Sequence, residues 1–333
     1  MAADLAEPTE IDSAEALIAL LTEDLGESGF QRTLDDQHEV VFVSRGPKLL
    51  VMFQNFDDAV RDGKLGGPVG LDFVDDKNYS LLYLGARSNT WFRAERVYEL
   101  FDTLVDDCFF EDFDQVMFYG AGIGAYAACA YSVAAPGAQV LAIAPQATLD
   151  MDRAGWDKRF PKGRVLDFNG RYGYAPDMLE GAAQAFVLYD PFSSLDYVHA
   201  SLFHGPNITL FKCRHLDGLI ESALREMDIL HRVVAACADG ELTHECFFHI
   251  LRARRDHTRY LRTLLHTLDR KGKTLRVALL CKAVLARRSG PVFRKSLAAA
   301  EKRLHELGQR PGWLRDPDAR PFTPETSQPP EDV

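Results

Sequence analysis

Apolar and polar positions alternate with two distinct periods along this chain. Residues 13–25 carry apolar side chains at helical spacing, and Ser13 stands where it can cap the first turn. Short apolar blocks follow at 39–43 and 48–53, separated by the turn Arg45-Gly-Pro47, and again at 79–84. Each reads as a strand. A helical pattern over 91–106 leads to the block Gln115-Val-Met-Phe-Tyr119, and an Ala-rich helical run over 125–134 stops at Pro136-Gly137. The block 139–144 is almost continuously apolar, as a strand covered on both faces should be. Strands at 185–189 and 207–211, with a helix over 194–203 between them, complete an alternation that predicts a doubly wound, mostly parallel α/β sheet with helices on both faces.

Beyond residue 217 the pattern is helical alone, over 219–238, 242–268 and 275–288, with Gly240 and Gly272 as breaks. The chain therefore divides into an N-terminal helical segment (1–38), an α/β domain (39–238), a basic helical region (239–311) and a tail (312–333). Residues 147–183 are rich in aromatic, Gly, Pro and charged residues and read as a cap-like insertion above the sheet. The tail is rich in Pro, Asp and Glu and reads as disordered.

Charge sharpens this division. The net charge is -11, yet residues 1–114 carry sixteen excess acidic groups and residues 251–310 thirteen excess basic ones. The basic helices place Arg252, Arg254, Arg255, Arg259 and Arg262 before a second set from Lys271 to Arg288. Docking on the α/β domain is their default role, with a protein partner, nucleic acid or an anionic membrane as alternatives. No apolar run is long enough to span a bilayer, and the acidic N-terminus lacks the pattern of a secretory signal, which places the chain in the cytoplasm by default. The six cysteines form no CxxC pair and read as reduced thiols.

The chemistry concentrates at Phe118-Tyr-Gly-Ala-Gly-Ile-Gly-Ala-Tyr126, a strand, sharp turn and helix. Gly120-Ala-Gly122-Ile-Gly124 has the frame of a Gly-x-Ser-x-Gly nucleophile elbow with glycine in place of serine. Without a hydroxyl, no acyl-enzyme forms on that residue. The same letters fit Gly-x-Gly-x-x-Ala, a form of the dinucleotide fingerprint, and the glycine-rich loop of S-adenosylmethionine enzymes. Both cofactor readings want a carboxylate after the next strand, and none occurs before Asp150. At least three strands also precede this one, whereas the fingerprint normally opens its domain. No cofactor is expected.

An elbow is followed in chain order by an acid and a base at later strand ends, the carboxylate orienting the imidazole that deprotonates the nucleophile. Asp190 directly follows 185–189, and His215 lies just past 207–211. Taken singly, Asp190 before Pro191 also suits a turn and His215 an ordinary loop. On the elbow, Tyr189-Asp-Pro191 and Cys213-Arg-His215, the region from about 39 to 235 resembles the α/β-hydrolase superfamily. It resembles more closely a bacterial family in which the elbow serine is commonly absent. Some members of that family carry a phosphoadenosine-phosphosulfate reductase label. Neither the Ser-Gly-Gly-x-Asp-Ser loop nor the Glu-Cys-Gly-Leu-His motif of such reductases occurs here, since His244-Glu-Cys246 continues as Phe247-Phe248.

The resemblance implies a vestigial acid Asp190 and base His215 facing the lost nucleophile at Gly122. It also implies an anion-holding loop from Gly120, Gly124 and the Ile123 N–H, with Gln54 and Asn55 on the loop after an earlier strand. Ser88, Trp156 and Arg171 are further candidates around the pocket, the last two as part of a cap that grips an anionic or sugar-like group. The expected function is a degenerate hydrolase relative that binds a small ligand or a protein partner. The alternatives are an ester-cleaving or acyl-transferring enzyme using Asp190 and His215 with another nucleophile or water, and a nucleotide- or S-adenosylmethionine-dependent enzyme. His199 and His204, and His244 and His249, stand five apart, which suits no shared helical face, so no metal site is expected.

Overall fold

The computed structural model describes residues 12–23, 25–63, 74, 77–309 and 312, with backbone alone at 62 and 63. Most of the expected tail and the first eleven residues lie outside that set. Helix α1 (Ala14–Thr22) starts as its sequence dictates, with the Ser13 hydroxyl accepting the Ala16 N–H at 3.1 Å. Strands β1 (Phe30–Thr33), β2 (His38–Val43) and β3 (Lys48–Asn55) lead into α2 (Phe56–Gly63). Strand β4 (Tyr79–Ala86), helix α3 (Glu95–Asp106) and strand β5 (Gln115–Ala121) then lead to the elbow and α4 (Ile123–Tyr131). Beyond it come β6 (Gln139–Ile143), the short α5 (Met151–Ala154), β7 (Gln184–Tyr189), α6 (Ser194–Ser201) and β8 (Ile208–Lys212). Helices α7 (Ile220–Glu226), α8 (Leu230–Ala238), α9 (His244–Ile250), α10 (Thr258–Arg270), α11 (Thr274–Leu285) and α12 (Pro291–Glu306) complete the order.

The eight strands form one sheet in the order β1-β2-β4-β3-β5-β6-β7-β8. Strand β2 pairs antiparallel with both neighbours, and from β4 onward every pairing is parallel. This is the α/β-hydrolase arrangement predicted from the sequence. The Arg45-Gly-Pro47 turn does not close a hairpin, because β4 inserts between the two strands it connects. Strand β1 and helix α2 carry no legible apolar period and are not foreseen. Beyond β8 the two longest predicted helical runs break, into α7 with α8 and into α9, a 3₁₀ turn (Leu251–Asp256) and α10.

Alternation along the strands builds two cores. On β3, Leu49, Val51 and Phe53 face one layer while Leu50 and Met52 face the other. The first layer is closed by Val97, Leu100, Phe101 and Leu104 of α3 and by all of α4, each of whose residues is buried. The second is closed by Leu17, Ile18 and Leu21 of α1, by α7 and α8, and by Phe247 and Ile250 of α9. Each fully buried aromatic or aliphatic side chain contributes roughly 1.5–3 kcal/mol to this packing. The chain forms two compact units, the first running to Tyr260 and the second beginning at Leu261. The sheet and helices α1 to α9 belong to the first.

Candidate functional site

The elbow forms because three glycines meet two local demands, a positive φ and a close backbone approach. Gly122 has φ 56° and ψ -117°, a conformation that L side chains rarely adopt. Its N–H donates to the Ile143 carbonyl at 2.9 Å, which ties the turn to β6. A Cβ on Gly120 would lie 2.2 Å from the Gly124 carbonyl oxygen, and one on Gly124 would lie 2.1 Å from that of Phe53. Both flanking positions therefore exclude any side chain, as the close strand–helix approach of an elbow demands. At Gly122 itself, a Cβ would meet nothing within 4 Å. Space for a nucleophile's side chain remains, and the side chain does not. The N–H groups of Ile123, Gly124 and Ala125 open α4 without carbonyl partners one turn back.

The other expected residues fall in several places. Asp190 sits at the end of β7, 1% exposed. Its carboxylate accepts the Phe192 N–H at 2.9 Å through Oδ1 and the Asp217 N–H at 2.8 Å through Oδ2. His215 follows β8 in left-handed backbone (φ 66°), its ring stacked on Phe192 at 4.4 Å and edge-on to Tyr260 at 6.2 Å. Gln54 is buried and accepts the Tyr83 hydroxyl at 3.3 Å. Asn55 accepts the Asp57 N–H at 2.8 Å, bracing the start of α2, and its amide reaches Asn89. Ser88 is exposed and donates to Gln37 at 2.7 Å. Arg171 forms a fork with Asp102 of α3 at 2.7 and 3.1 Å and lies over Tyr98 and Tyr172. Trp156 donates to the Arg153 carbonyl at 3.0 Å and covers the His199 ring at 4.5 Å. Cys129 and Ser132, further along the elbow helix, are buried. Burial pushes the Cys129 thiol far above its ordinary range, and the Ser132 hydroxyl donates to the Cys129 carbonyl at 2.9 Å.

A pocket of about 280 Å³ opens at Gly122. Its floor is Ala121, Gly122, Ile143 and Ala144, the last in left-handed backbone at φ 53°. Its walls carry Asp58 and Arg61 of α2, Gln146 after β6, Arg159 and Phe160 of the insertion, Asp196 of α6, and the stretch from Gly218 to Ser222 that opens α7. Neither Asp190 nor His215 lines it.

These walls are charged and tightly tied. Arg159 forks onto the buried Asp157 through Nε and Nη2 (3.1 and 2.8 Å) and reaches Asp196 through Nη1 at 2.6 Å. Asp196 also accepts the Ser193 hydroxyl at 2.7 Å. Behind Asp157 stands His199, fully buried, whose Nδ1 accepts the Ala147 N–H at 3.2 Å. That bond fixes the tautomer: the proton rides on Nε2 and is donated to Asp157 at 3.0 Å. Burial drives the His199 pKa down and outweighs the Asp157 carboxylate, so the ring is neutral. Burial alone would raise Asp157; its bonds to Arg159 and His199 prevail and hold it below the ordinary carboxylate range. Across the pocket, Glu221 accepts the Tyr119 hydroxyl at 2.5 Å and Arg225 at 3.2 Å. Burial raises the Asp58 pKa; Arg61 opposes it only in part, and Glu221 adds to it.

The sequence does not foretell Asp157, Arg159, Asp196, His199 or Glu221 as a group. Arg159 and Trp156 stand out only as members of a charged, aromatic insertion. Ser222 is the one hydroxyl among the lining residues, and no hydrogen bond reaches it from the described residues. Chemically, the arrangement offers a small, polar, internally charge-compensated chamber beside Gly122 at the start of α4, with no imidazole among the described residues that line it. Among the described residues, no cluster of three metal-binding side chains is present.

No protein-family model matches the chain, and no curated protein matches it in sequence. Among solved structures it is similar to a sugar hydrolase from Lactococcus lactis, at 16% identity over 68% of this chain and 100% of that one, with a TM-score of 0.43. It is also similar to an esterase of Pyrobaculum calidifontis, at 13% identity over 68% and 89% of the two chains, with a TM-score of 0.42. The capsule O-acetyltransferase of Neisseria meningitidis serogroup A aligns at 13% identity over 62% and 94%, with a TM-score of 0.39. The architecture of this chain rests on its own strand order and elbow geometry.

Proposed function

We infer that this α/β-hydrolase-fold protein does not run acyl transfer and uses the chamber at its elbow to bind a small polar ligand. The observation that carries the reading is the pairing of an elbow intact in every backbone respect with a nucleophile position that holds no side chain. A chamber of about 280 Å³ suits a ligand of a few to a dozen heavy atoms, near the lower end of small-molecule sites. Arg61, Arg159, Asp58 and Glu221 supply both signs of charge to the walls of the chamber. A dinucleotide reading gains nothing, since β6 ends at Ile143 and is followed by Ala144 and Gln146 rather than a carboxylate.

The test is turnover of short p-nitrophenyl esters by the full chain and by His215→Ala. The reading expects both to match the buffer background. Turnover that disappears in His215→Ala would restore the enzymatic alternative.

A further inference from the structure

We propose that the second unit carries a docking face for an anionic lipid surface, centred on helix α11. That helix is apolar on two sides. Val277, Ala278, Cys281 and Val284 are buried within the molecule. On the opposite side Leu275 and Leu279 are 42% and 47% exposed, and Ala283 and Ala286 continue the same line in solvent. Their spacing of four, four and three keeps the four residues within about 80° of helical arc. A helix that merely caps a globular unit presents polar groups there. Val292 at the start of α12 adds a further exposed apolar side chain, 49% exposed.

Cationic side chains frame the stripe. Arg276 and Arg287 fall on one flank and Lys282 on the other, with Lys273 at the helix entrance. From residue 261 to 309 the chain holds twelve Lys and Arg against three Asp and Glu, a net charge of +9, whereas the whole chain carries -11. The first unit, residues 1–260, carries -18, so a negatively charged surface attracts the 261–309 segment and repels the first unit.

An apolar ridge bordered by basic residues is the pattern of a helix that lies in a bilayer interface, its leucines reaching the acyl boundary and its cations meeting the headgroups. A second copy of the same face would bring like charges together. Nucleic acid would use the charges but leave the leucines without a role, and Phe293, the one Phe, Tyr or Trp between 261 and 309, is buried. None of the described helices is long and apolar enough to cross a membrane, so the contact is peripheral.

The experiment is co-sedimentation of the full chain with vesicles of phosphatidylcholine alone, and of phosphatidylcholine with phosphatidylserine at one lipid in three. The proposal expects binding to the anionic vesicles only, weakened by salt. Leu275→Ser with Leu279→Ser should lower the partition roughly tenfold or more, since two apolar side chains leave the interface. Lys273→Gln with Arg276→Gln should lower it roughly fivefold per charge. Because all four residues are exposed, thermal melting should show the variants folded. Equal partition onto both vesicle types would overturn the proposal, as would a folded leucine variant that binds like the wild type. Binding of duplex DNA that outcompetes anionic vesicles and ignores the leucine substitutions would overturn it in favour of a nucleic-acid face.

Discussion

Replacing Asp190 separates a structural carboxylate from a catalytic one. In this chain Asp190 is buried and each of its oxygens accepts a backbone N–H, that of Phe192 at 2.9 Å and that of Asp217 at 2.8 Å. The second of these ties the loop after β8 to the end of β7. Asp190→Ala leaves both donors without a partner, and an orphaned buried donor costs about 1–3 kcal/mol. The expected loss is therefore about 2–6 kcal/mol, a large part of the 5–15 kcal/mol that a domain of ordinary stability holds. Asp190→Asn keeps one acceptor and turns an amide NH₂ toward the other N–H, so about 1–3 kcal/mol should go. Urea unfolding followed by circular dichroism reads both, as a lowered midpoint with an unchanged slope. A triad acid behaves otherwise, since its Asp→Asn change leaves the structure intact and removes rate. A change below about 0.5 kcal/mol in both variants would refute the reasoning, because surface-like tolerance is incompatible with two buried charge-assisted bonds.

Two further outcomes follow from the same geometry. Gly124→Ala places a Cβ 2.1 Å from the Phe53 carbonyl and should cost about 3 kcal/mol or more, whereas Gly122→Ala meets open space and should cost only the backbone strain, about 1–3 kcal/mol; equal unfolding midpoints for the two would contradict the elbow packing. His199 is neutral in the fold and its pKa lies below the ordinary 6.5, so the unfolded chain binds its proton first on acidification. Its contribution is fully present above about pH 6.5 and is lost as pH falls toward the folded value, with a slope of up to about 1.4 kcal/mol per pH unit. His199→Gln should flatten that segment of the stability curve, and an unchanged curve would argue that the ring is already charged in the fold.

How much of this was legible in the sequence depends on the range of the interaction. The elbow reads from its letters because each glycine answers a local demand: a positive φ at Gly122, a carbonyl in contact at Gly120 and Gly124. Asp190 and His215 read because strand periodicity places the residues that follow β7 and β8. What the letters do not carry is whom a side chain meets. Asp190 accepts two nearby backbone N–H groups, and Arg171 forks onto Asp102 across 69 residues, pairings that no sequence period predicts. The chamber's own wall joins Asp157 to His199 across 42 residues and Arg159 to Asp196 across 37, in an insertion with no regular period to align them. Strand β1, whose residues are mostly exposed, shows no alternation to detect, and α2 is acidic enough to read as a loop.

The central claim is that the elbow persists without an acyl-accepting centre. Intact-mass spectrometry of the wild type and of Gly122→Ser after exposure to a fluorophosphonate tests it most directly, since that probe labels only a hydroxyl activated by a base. The account predicts no adduct on the wild type, and none on Gly122→Ser either, because none of the described residues lining the pocket at residue 122 is an imidazole. An adduct on wild-type Ser222, or rapid labelling of the introduced serine that is lost with His215→Ala, would contradict it.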